Sequence, residues 1–255
     1  MHEDRCHRHV NLGAGFDTRA YRLSATAHLP VWEIDQQKNI VAKEKRLNEI
    51  FGKVSSHVRL VAIDFDHEDF RAALSSNGCS STGRTFFVWE GASQYLTEEG
   101  VRKIFDSLAR AAPGSCLAFT YVCKDFLDGR AHYRWDSGHK RFVATKVWRF
   151  GLVPDSVEGF LIAYGWDLIE DVGYDELARR YIAPSRRGLA STPVERIVYA
   201  EKRRQQPGYG IEQAPTALRT PCQTDQLISW CPVGQKHFCW RAQPTYSTTR
   251  DRPEA

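Results

Sequence analysis

The chain has 255 residues, 42% of them hydrophobic and 26% charged, which suits one globular α/β domain and excludes two domains of ordinary size. It has neither the roughly 20-residue apolar run of a membrane span nor the apolar stretch of a secretory signal, so we expect a cytoplasmic protein without a membrane partner. Residues 1–201 hold 27 Lys and Arg against 27 Asp and Glu, whereas residues 202–255 hold 8 against 4 and supply the whole net charge of +4, so we expect no nucleic-acid partner.

The first part of the chain alternates short apolar runs with helical patterns, which predicts parallel strands joined by helices. Four strands are predicted, each followed by a glycine or an acidic residue: His9–Leu12, Val31–Ile34, Val58–Ile63 and Thr85–Trp89. The intervening patterns predict helices over Ile40–Phe51 and Glu68–Ser75, and a loop over the Ser- and Gly-rich residues 75–83.

The second part continues the alternation but adds one irregular stretch. Three further strands are predicted, over Ser115–Val122, Trp166–Asp171 and Glu195–Glu201, with helices over Thr97–Ala112, Asp155–Tyr164 and Glu176–Tyr181. Thr97 is a suitable helix N-cap, and Pro113-Gly114 is a helix stop. The polar and aromatic segment Asp125–Val147 resembles an inserted lid. Periodicity ends after residue 204, so we predict one domain over residues 1–204 and a poorly ordered basic tail over 205–255.

The end of the first strand carries a glycine turn, in the segment Asn11-Leu12-Gly13-Ala14-Gly15-Phe16-Asp17-Thr18-Arg19. Glycines at a strand end let the backbone turn tightly and approach a ligand without a Cβ clash. The third glycine of the dinucleotide-binding fingerprint is absent, because Thr18 stands in its place. This departure disfavours a nicotinamide or flavin oxidoreductase, which we keep as a distant alternative.

Acidic residues follow the next three strands. Asp35 lies 22 positions after Gly13, where a carboxylate can accept hydrogen bonds from ribose hydroxyls, although Glu33 on the same strand is a rival for that role. Asp64 could accept from an adenine amino group beside Phe65, and Glu90 could pair with an ammonium group. Because the carboxyl ends of parallel strands meet at one edge of an open α/β sheet, these residues predict a ligand site there.

Several motifs, in order along residues 10–202, resemble the leucine carboxyl methyltransferase-like family of S-adenosylmethionine-dependent methyltransferases, in its small-molecule O-methyltransferase branch. The motifs are Gly13-Ala14-Gly15-Phe16-Asp17-Thr18-Arg19-Ala20-Tyr21-Arg22-Leu23, Glu33-Ile34-Asp35-Gln36, Asp64-Phe65, Glu90-Gly91-Ala92-Ser93-Gln94-Tyr95-Leu96-Thr97, Trp148-Arg149-Phe150-Gly151-Leu152 and Gly165-Trp166.

The resemblance implies an α/β class I methyltransferase fold, Rossmann-like, with a seven-stranded, mostly parallel sheet whose last strand is antiparallel and with helices on both faces. It also implies S-adenosyl-L-methionine as cofactor. Each motif then carries a role at one strand end: Gly13 and Gly15 would cradle the methionine moiety, Asp35 the ribose, Asp64 and Phe65 the adenine, and Glu90 the amino end.

The chain departs from the family at its N-terminus. Family members usually carry a helical segment before the glycine motif, with an Arg that reaches the cofactor carboxylate, whereas only about ten residues precede the first strand here. The resemblance therefore implies an N-terminally truncated member. We expect such a chain to bind the cofactor weakly and to show little or no turnover, because the covering helices help to position both substrates.

The leading functional hypothesis is O-methylation of a carboxyl or hydroxyl group on a small metabolite. The alternatives are carboxyl methylation of a protein's C-terminal leucine and a catalytically inert, cofactor-binding remnant. A hydroxyl acceptor would gain from a general base, whereas a carboxylate needs none. The candidate bases are Tyr95, Tyr121, His132 and His139, none of which the sequence singles out as catalytic.

The seven cysteines form no C-x-x-C pair, which favours free thiols in a reducing compartment. Cys231, His237 and Cys239 do not have the spacing of a standard zinc site, so no metal is predicted.

Overall fold

The structure is a computed structural model, and it describes residues 6–23, 26, 28–80, 82–186 and 192–204. The chain divides into two units, residues 1–216 and 217–255, of which the second lies wholly outside the described residues. The tail predicted over 205–255, with Cys231, His237 and Cys239, also lies outside them.

Seven strands form one sheet in the order β3-β2-β1-β4-β5-β7-β6. The strands are β1 (Arg8–Leu12), β2 (Val31–Asp35), β3 (Val58–Ala62), β4 (Thr85–Trp89), β5 (Cys116–Val122), β6 (Trp166–Val172) and β7 (Glu195–Lys202). β7 pairs antiparallel with both β5 and β6, and the other pairings are parallel. The predicted seven-stranded sheet with an antiparallel last strand is confirmed, and each predicted strand end lies within one residue of the observed one.

Helices connect the strands. They are α1 (Arg19–Arg22), α2 (Gln37–Phe51), α3 (Phe70–Ser76), α4 (Glu98–Leu108), α5 (Lys124–Leu127), α6 (Asp136–Gly138), α7 (Val157–Ala163), α8 (Tyr174–Leu177) and α9 (Ala183–Ser185). Among the residues that the structure describes, no helix is long and apolar enough to cross a membrane. α4 ends four residues before its predicted end at Ala112, because Arg110 and Ala111 donate to carbonyls three residues back and tighten the last turn.

The two faces of the sheet are covered by different helices. Alternate residues of β2 point to opposite faces, so Trp32 and Ile34 join the main core whereas Val31 joins a smaller cluster with Ala20 and Val58. The main core also takes in the helical residues Phe70, Leu74, Val101, Ile104, Phe105, Leu108, Val157 and Leu161. α3, α4 and α7 therefore cover one face, and α1 contributes to the other.

The predicted lid segment folds around its own aromatic cluster at the carboxyl end of β5. Trp148 stacks on Phe142 with ring centroids 4.9 Å apart, and Phe126 and Trp135 pack beside them. Cys123 pairs with Leu152 in a short parallel bridge, which closes the segment at its base. The segment is a packed outgrowth of β5.

The cysteines within the described ranges, Cys6, Cys79, Cys116 and Cys123, are free thiols. The last three are buried, which agrees with the sequence-based expectation.

Candidate cofactor-binding site

The glycine turn after β1 has a structural reason for each glycine. Gly13 has φ +67°, and a Cβ built on it would lie 2.4 Å from the Cβ of Ala92 in the loop after β4. Gly15 has φ +43°, and a Cβ there would meet no atom within 4 Å. Gly13 therefore permits close packing of the two loops, whereas Gly15 leaves an uncovered stretch of backbone that a ligand could approach.

Asp35, the last residue of β2, is bound to this turn. Its Oδ2 accepts from the Gly15 N–H at 2.7 Å, and its Oδ1 accepts from the Gln36 N–H at 2.7 Å and the Asn39 side-chain amide at 2.6 Å. A carboxylate can accept further bonds beyond these three, because its two oxygens offer about four lone-pair sites. Asp35 thus combines a fixed orientation with capacity for a ligand hydroxyl.

Glu33 has a different environment, which separates it from Asp35. Its carboxylate is 1% exposed and lies 2.8 Å from Lys43 Nζ, with the Tyr21 hydroxyl at 3.5 Å. Burial raises the pKa of Glu33 to about 7 in spite of the attraction to Lys43. Of the two acids that the sequence left as rivals, only Asp35 contacts the glycine turn in the described structure.

Glu90 forms part of an ionic cluster, the Asp17–Arg19–Glu90 cluster, which connects the loops after β1 and β4. Arg19 Nη2 lies 2.9 Å from Glu90 Oε2, and Arg19 Nε donates to Asp17 Oδ2 at 2.6 Å. The side chain of Asn11, on β1, also donates to Asp17 Oδ2, at 2.8 Å. Burial lowers the pKa of Arg19, but the carboxylates of Glu90 and Asp17 outweigh it and raise the pKa above its ordinary value. Burial likewise raises the pKa of Asp17, and Arg19 reverses the net shift to a lower value.

Asp64 and Phe65 follow β3 and face different surroundings. The Asp64 carboxylate is 54% exposed, accepts from the Asp66 N–H at 3.1 Å and lies 3.0 Å from His67 Nδ1. The hydrogen bond to His67 lowers the pKa of Asp64. The Phe65 ring is buried in the main core beside Phe70, so it does not offer the apolar surface to a ligand that the sequence suggested. A role for Phe65 in binding rests on its backbone.

Asp66 connects the loops after β3 and β4. Its Oδ1 accepts from the Thr97 hydroxyl at 3.0 Å, and its Oδ2 lies 3.2 Å from Arg149 Nη2. Arg149 Nε also donates to the Tyr95 carbonyl at 3.0 Å. Together with the Gly15–Asp35 and Arg19–Glu90 contacts, these bonds join the four predicted strand ends into one continuous edge.

The four candidate bases differ in burial and in their hydrogen-bond partners. Tyr121 is fully buried and donates to Asp171 Oδ2 at 2.8 Å, and burial raises its pKa above the ordinary value, so it is a poor base. His132 contacts Asp136 and stacks on His139 with ring centroids 4.5 Å apart, both within the segment after β5. Tyr95 is 43% exposed and belongs to the loop after β4 that carries Glu90. Within the described ranges, no group of three or more His, Cys, Asp or Glu side chains could hold a metal ion.

Sequence reasoning included Asp17 and Arg19 in a motif without assigning them a role, and it did not single out Asp66. The available signal was a charged triplet, Asp17-Thr18-Arg19, directly after a glycine turn. Glu90, the partner of Arg19, lies in the loop after another strand, so the pairing could not be read from local sequence.

Known protein families and relatives resemble this chain in sequence. Residues 1–109 match the family described as Leucine carboxyl methyltransferase. A Mycobacteroides abscessus protein, named for S-adenosyl-L-methionine-dependent methyltransferase activity, is 32% identical over 197 residues, which cover 75% of this chain and 64% of the relative. A similarly named Mycolicibacterium smegmatis protein is 33% identical over 165 residues, covering 62% and 54%. The chain thus spans less than two thirds of the length of these relatives.

A solved structure shares the fold. An O-methyltransferase family protein from Burkholderia thailandensis superposes with a TM-score of 0.51 at 11% identity, covering 79% of this chain and 52% of that one. The strand order and this match define the class I methyltransferase fold. The family resemblance seen in the motifs agrees with the family match over residues 1–109 and with the methyltransferase names of these relatives.

Proposed function

We propose that this protein is an S-adenosyl-L-methionine-dependent methyltransferase that O-methylates a carboxyl or hydroxyl group of a small metabolite. The observation that carries the proposal is the bond from the Gly15 N–H to Asp35 Oδ2, because it couples a Cβ-free turn to an acid at the neighbouring strand end. The methyltransferase names of the relatives support the same cofactor.

Each predicted residue then has a task that its surroundings support. The turn at Gly13 and Gly15 would lie along the methionine moiety, and Asp35 would accept from the ribose hydroxyls. Asp64, with its exposed carboxylate, would accept from the adenine amino group beside the Phe65 backbone. Glu90 would take the ammonium group.

S-adenosylmethionine supplies a methyl group on a positively charged sulfur, which is electrophilic without help from the protein. The residues of this chain therefore have to bind, orient and exclude water. Holding donor and acceptor about 3–3.5 Å apart and aligned can supply several kcal/mol of the barrier. The contacts that join the four strand ends serve this purpose, because they fix the loops relative to one another.

The surroundings of the candidate bases favour a carboxylate over a hydroxyl group as the methyl acceptor. Tyr121 is buried and bound to Asp171, so it is not presented as a base, and His132, paired with Asp136, lies in the segment after β5 and not among the contacts that join the four strand ends. A carboxylate is already nucleophilic and requires no proton removal.

Calorimetry tests the cofactor. We expect the chain to bind S-adenosylhomocysteine, the product form of the cofactor, in preference to NAD. Binding of NAD without binding of S-adenosylhomocysteine would overturn the proposal in favour of an oxidoreductase.

Transfer of isotopically labelled methyl groups tests the acceptor class. Small carboxylic acids, phenols and a peptide ending in leucine would be compared under identical conditions. We expect label in a base-labile ester of a small carboxylic acid. Label in the peptide alone would favour a protein substrate, and cofactor binding without any transfer would favour an inert remnant.

A further inference from the structure

We propose that Arg19 is a positioning residue that holds Glu90 for the ammonium group of the cofactor, an inference that rests on the proposed function. Arg19 is 8% exposed and spans two carboxylates with different nitrogens, Nε on Asp17 and Nη2 on Glu90. The planar guanidinium is suited to this, because its donors form a rigid fork that a lysine ammonium lacks. Glu90 Oε2 is thereby committed to Arg19, and we assign Oε1 to the ligand.

The Asp17 end of the cluster is anchored to the sheet. Asp17 Oδ2 accepts from the side chain of Asn11 in β1, and Asp17 Oδ1 accepts from the Arg19 N–H at 2.8 Å. Asp17 and Arg19 therefore connect the Glu90 side chain to β1 and fix its position. Without Arg19, the Glu90 side chain would lose the contact that orients it.

The net charge of the Asp17–Arg19–Glu90 cluster favours binding of a cation. Two carboxylates and one guanidinium leave one net negative charge. The side chains are 14%, 9% and 27% exposed for Asp17, Arg19 and Glu90, so the negative charge is most accessible at Glu90. Because the cluster is largely buried, water and salt screen this charge less than they would on the surface. An ammonium group at Glu90 would neutralise it.

The test uses two ligands that differ only in the amino-acid part. S-adenosylhomocysteine carries an ammonium and a carboxylate group, whereas 5′-methylthioadenosine keeps the adenosine and sulfur and lacks both. The Glu90→Gln background therefore separates an effect through Glu90 from a direct contact of Arg19 with the carboxylate. We expect Arg19→Gln to weaken S-adenosylhomocysteine binding by about tenfold or more, a loss of about 1.4 kcal/mol, and to leave 5′-methylthioadenosine binding within about twofold. Adding Arg19→Gln to Glu90→Gln should cause little further loss, because both act on the same contact.

Arg22→Gln is the matched control, because Arg22 is exposed on the same helix and contacts Thr18 and neither acid in the described structure. Equal weakening of both ligands by Arg19→Gln would show a merely structural role and overturn the inference. Tighter binding of S-adenosylhomocysteine would also overturn it, because it would mean that the Arg19 charge simply repels the ammonium. If the unaltered chain binds 5′-methylthioadenosine but not S-adenosylhomocysteine, the ammonium contact fails while the adenosine site stands. Binding of neither ligand would defeat the proposed function itself.

Discussion

At the scale of single residues, two acids on one strand illustrate how position decides chemistry. Glu33 and Asp35 lie two residues apart on β2, and both are buried. Glu33 lies inside the strand and contacts Lys43, whereas Asp35 ends the strand and bonds to the glycine turn. Glu33 therefore affects the stability of the fold, and Asp35 is available to a ligand.

This contrast predicts opposite effects of two substitutions. Asp35→Ala should weaken S-adenosylhomocysteine binding by roughly 10- to 150-fold, because a hydrogen bond to a charged group contributes about 1.5–3 kcal/mol. Glu33→Gln should leave the dissociation constant unchanged, and it should lose less stability than the unaltered chain as the pH rises from 4.5 to about 7, because Gln cannot ionise. Calorimetry measures the dissociation constant of both variants, and thermal melts measure their stability. Weaker binding by the Glu33 variant, with unchanged binding by the Asp35 variant, would assign the ribose role to Glu33.

At the scale of elements, contacts between loops hold the site together, in addition to the contacts within each loop. The loop after β1 touches the loop after β4 at Gly13 and Ala92, and the loop after β3 reaches the start of α4 through Asp66 and Thr97. The sheet brings these loops to one edge, and the side-chain contacts then set their spacing.

The contact between Gly13 and Ala92 predicts that a substitution at Ala92 restores part of the stability lost by a substitution at Gly13. Gly13→Ala should cost about 2–5 kcal/mol of unfolding free energy, from a left-handed backbone and an overlap with Ala92. Adding Ala92→Gly should recover the share that the overlap causes. Gly15→Ala is the control, with backbone strain of about 1–2 kcal/mol and no overlap. Denaturant titrations measure all three variants, and a double variant no more stable than Gly13→Ala would mean that the loops do not pack as described.

The N-terminus of α4 offers a second test at this scale. The Thr97 hydroxyl accepts from the Gly100 N–H at 3.0 Å, which confirms the predicted N-cap, and it donates to Asp66. Thr97→Ala should therefore cost about 0.5–2 kcal/mol of unfolding free energy, the usual range for a lost cap. Thr97→Ser keeps the hydroxyl and should cost much less. If both variants lose the same stability, the methyl group rather than the cap is responsible.

At the scale of the whole molecule, two buried groups give the stability an unusual dependence on pH. Burial lowers the pKa of His9 to about 3, so stability from its neutral form is present above its ordinary pKa of 6.5 and is lost as the pH falls. Burial raises the pKa of Glu33 from 4.5 to about 7, so stability from its protonated form is present below 4.5 and is lost as the pH rises. Between pH 4.5 and 6.5 the two slopes have opposite signs and nearly cancel.

When one of the two groups is removed, the unfolding free energy should follow the titration of the other group alone, with a slope of about 1.4 kcal/mol per pH unit. Between pH 4.5 and 6.5, His9→Phe should lose stability as the pH rises. Glu33→Gln/Lys43→Met, which removes both charges of the buried pair, should lose stability as the pH falls. Urea titrations at several pH values measure both slopes, with the exposed His28→Asn as control. Parallel pH profiles for all variants would contradict the assignment.

Much of the fold could be predicted from local sequence, and the site only in part. Strand positions follow from short apolar runs, and the glycine turn follows from backbone chemistry that only glycine permits. The ring of Phe65 was predicted beside a ligand and lies instead in the main core, because the apolar residues of α3 and α4 pack over the end of β3. Local sequence does not reveal such packing.

The sequence by itself determined where the strands lie and that a glycine turn and acidic residues follow their ends, because these features depend on short-range patterns, and its motifs resembled those of a class I methyltransferase family. Only the tertiary structure decided which acids face which partners. Asp66 meets Arg149 across 83 positions of sequence, and Arg19 meets Glu90 across the loops of two strands. Such pairings depend on how neighbouring strands align and on how burial alters each charge, and both are set only when the whole sheet has formed.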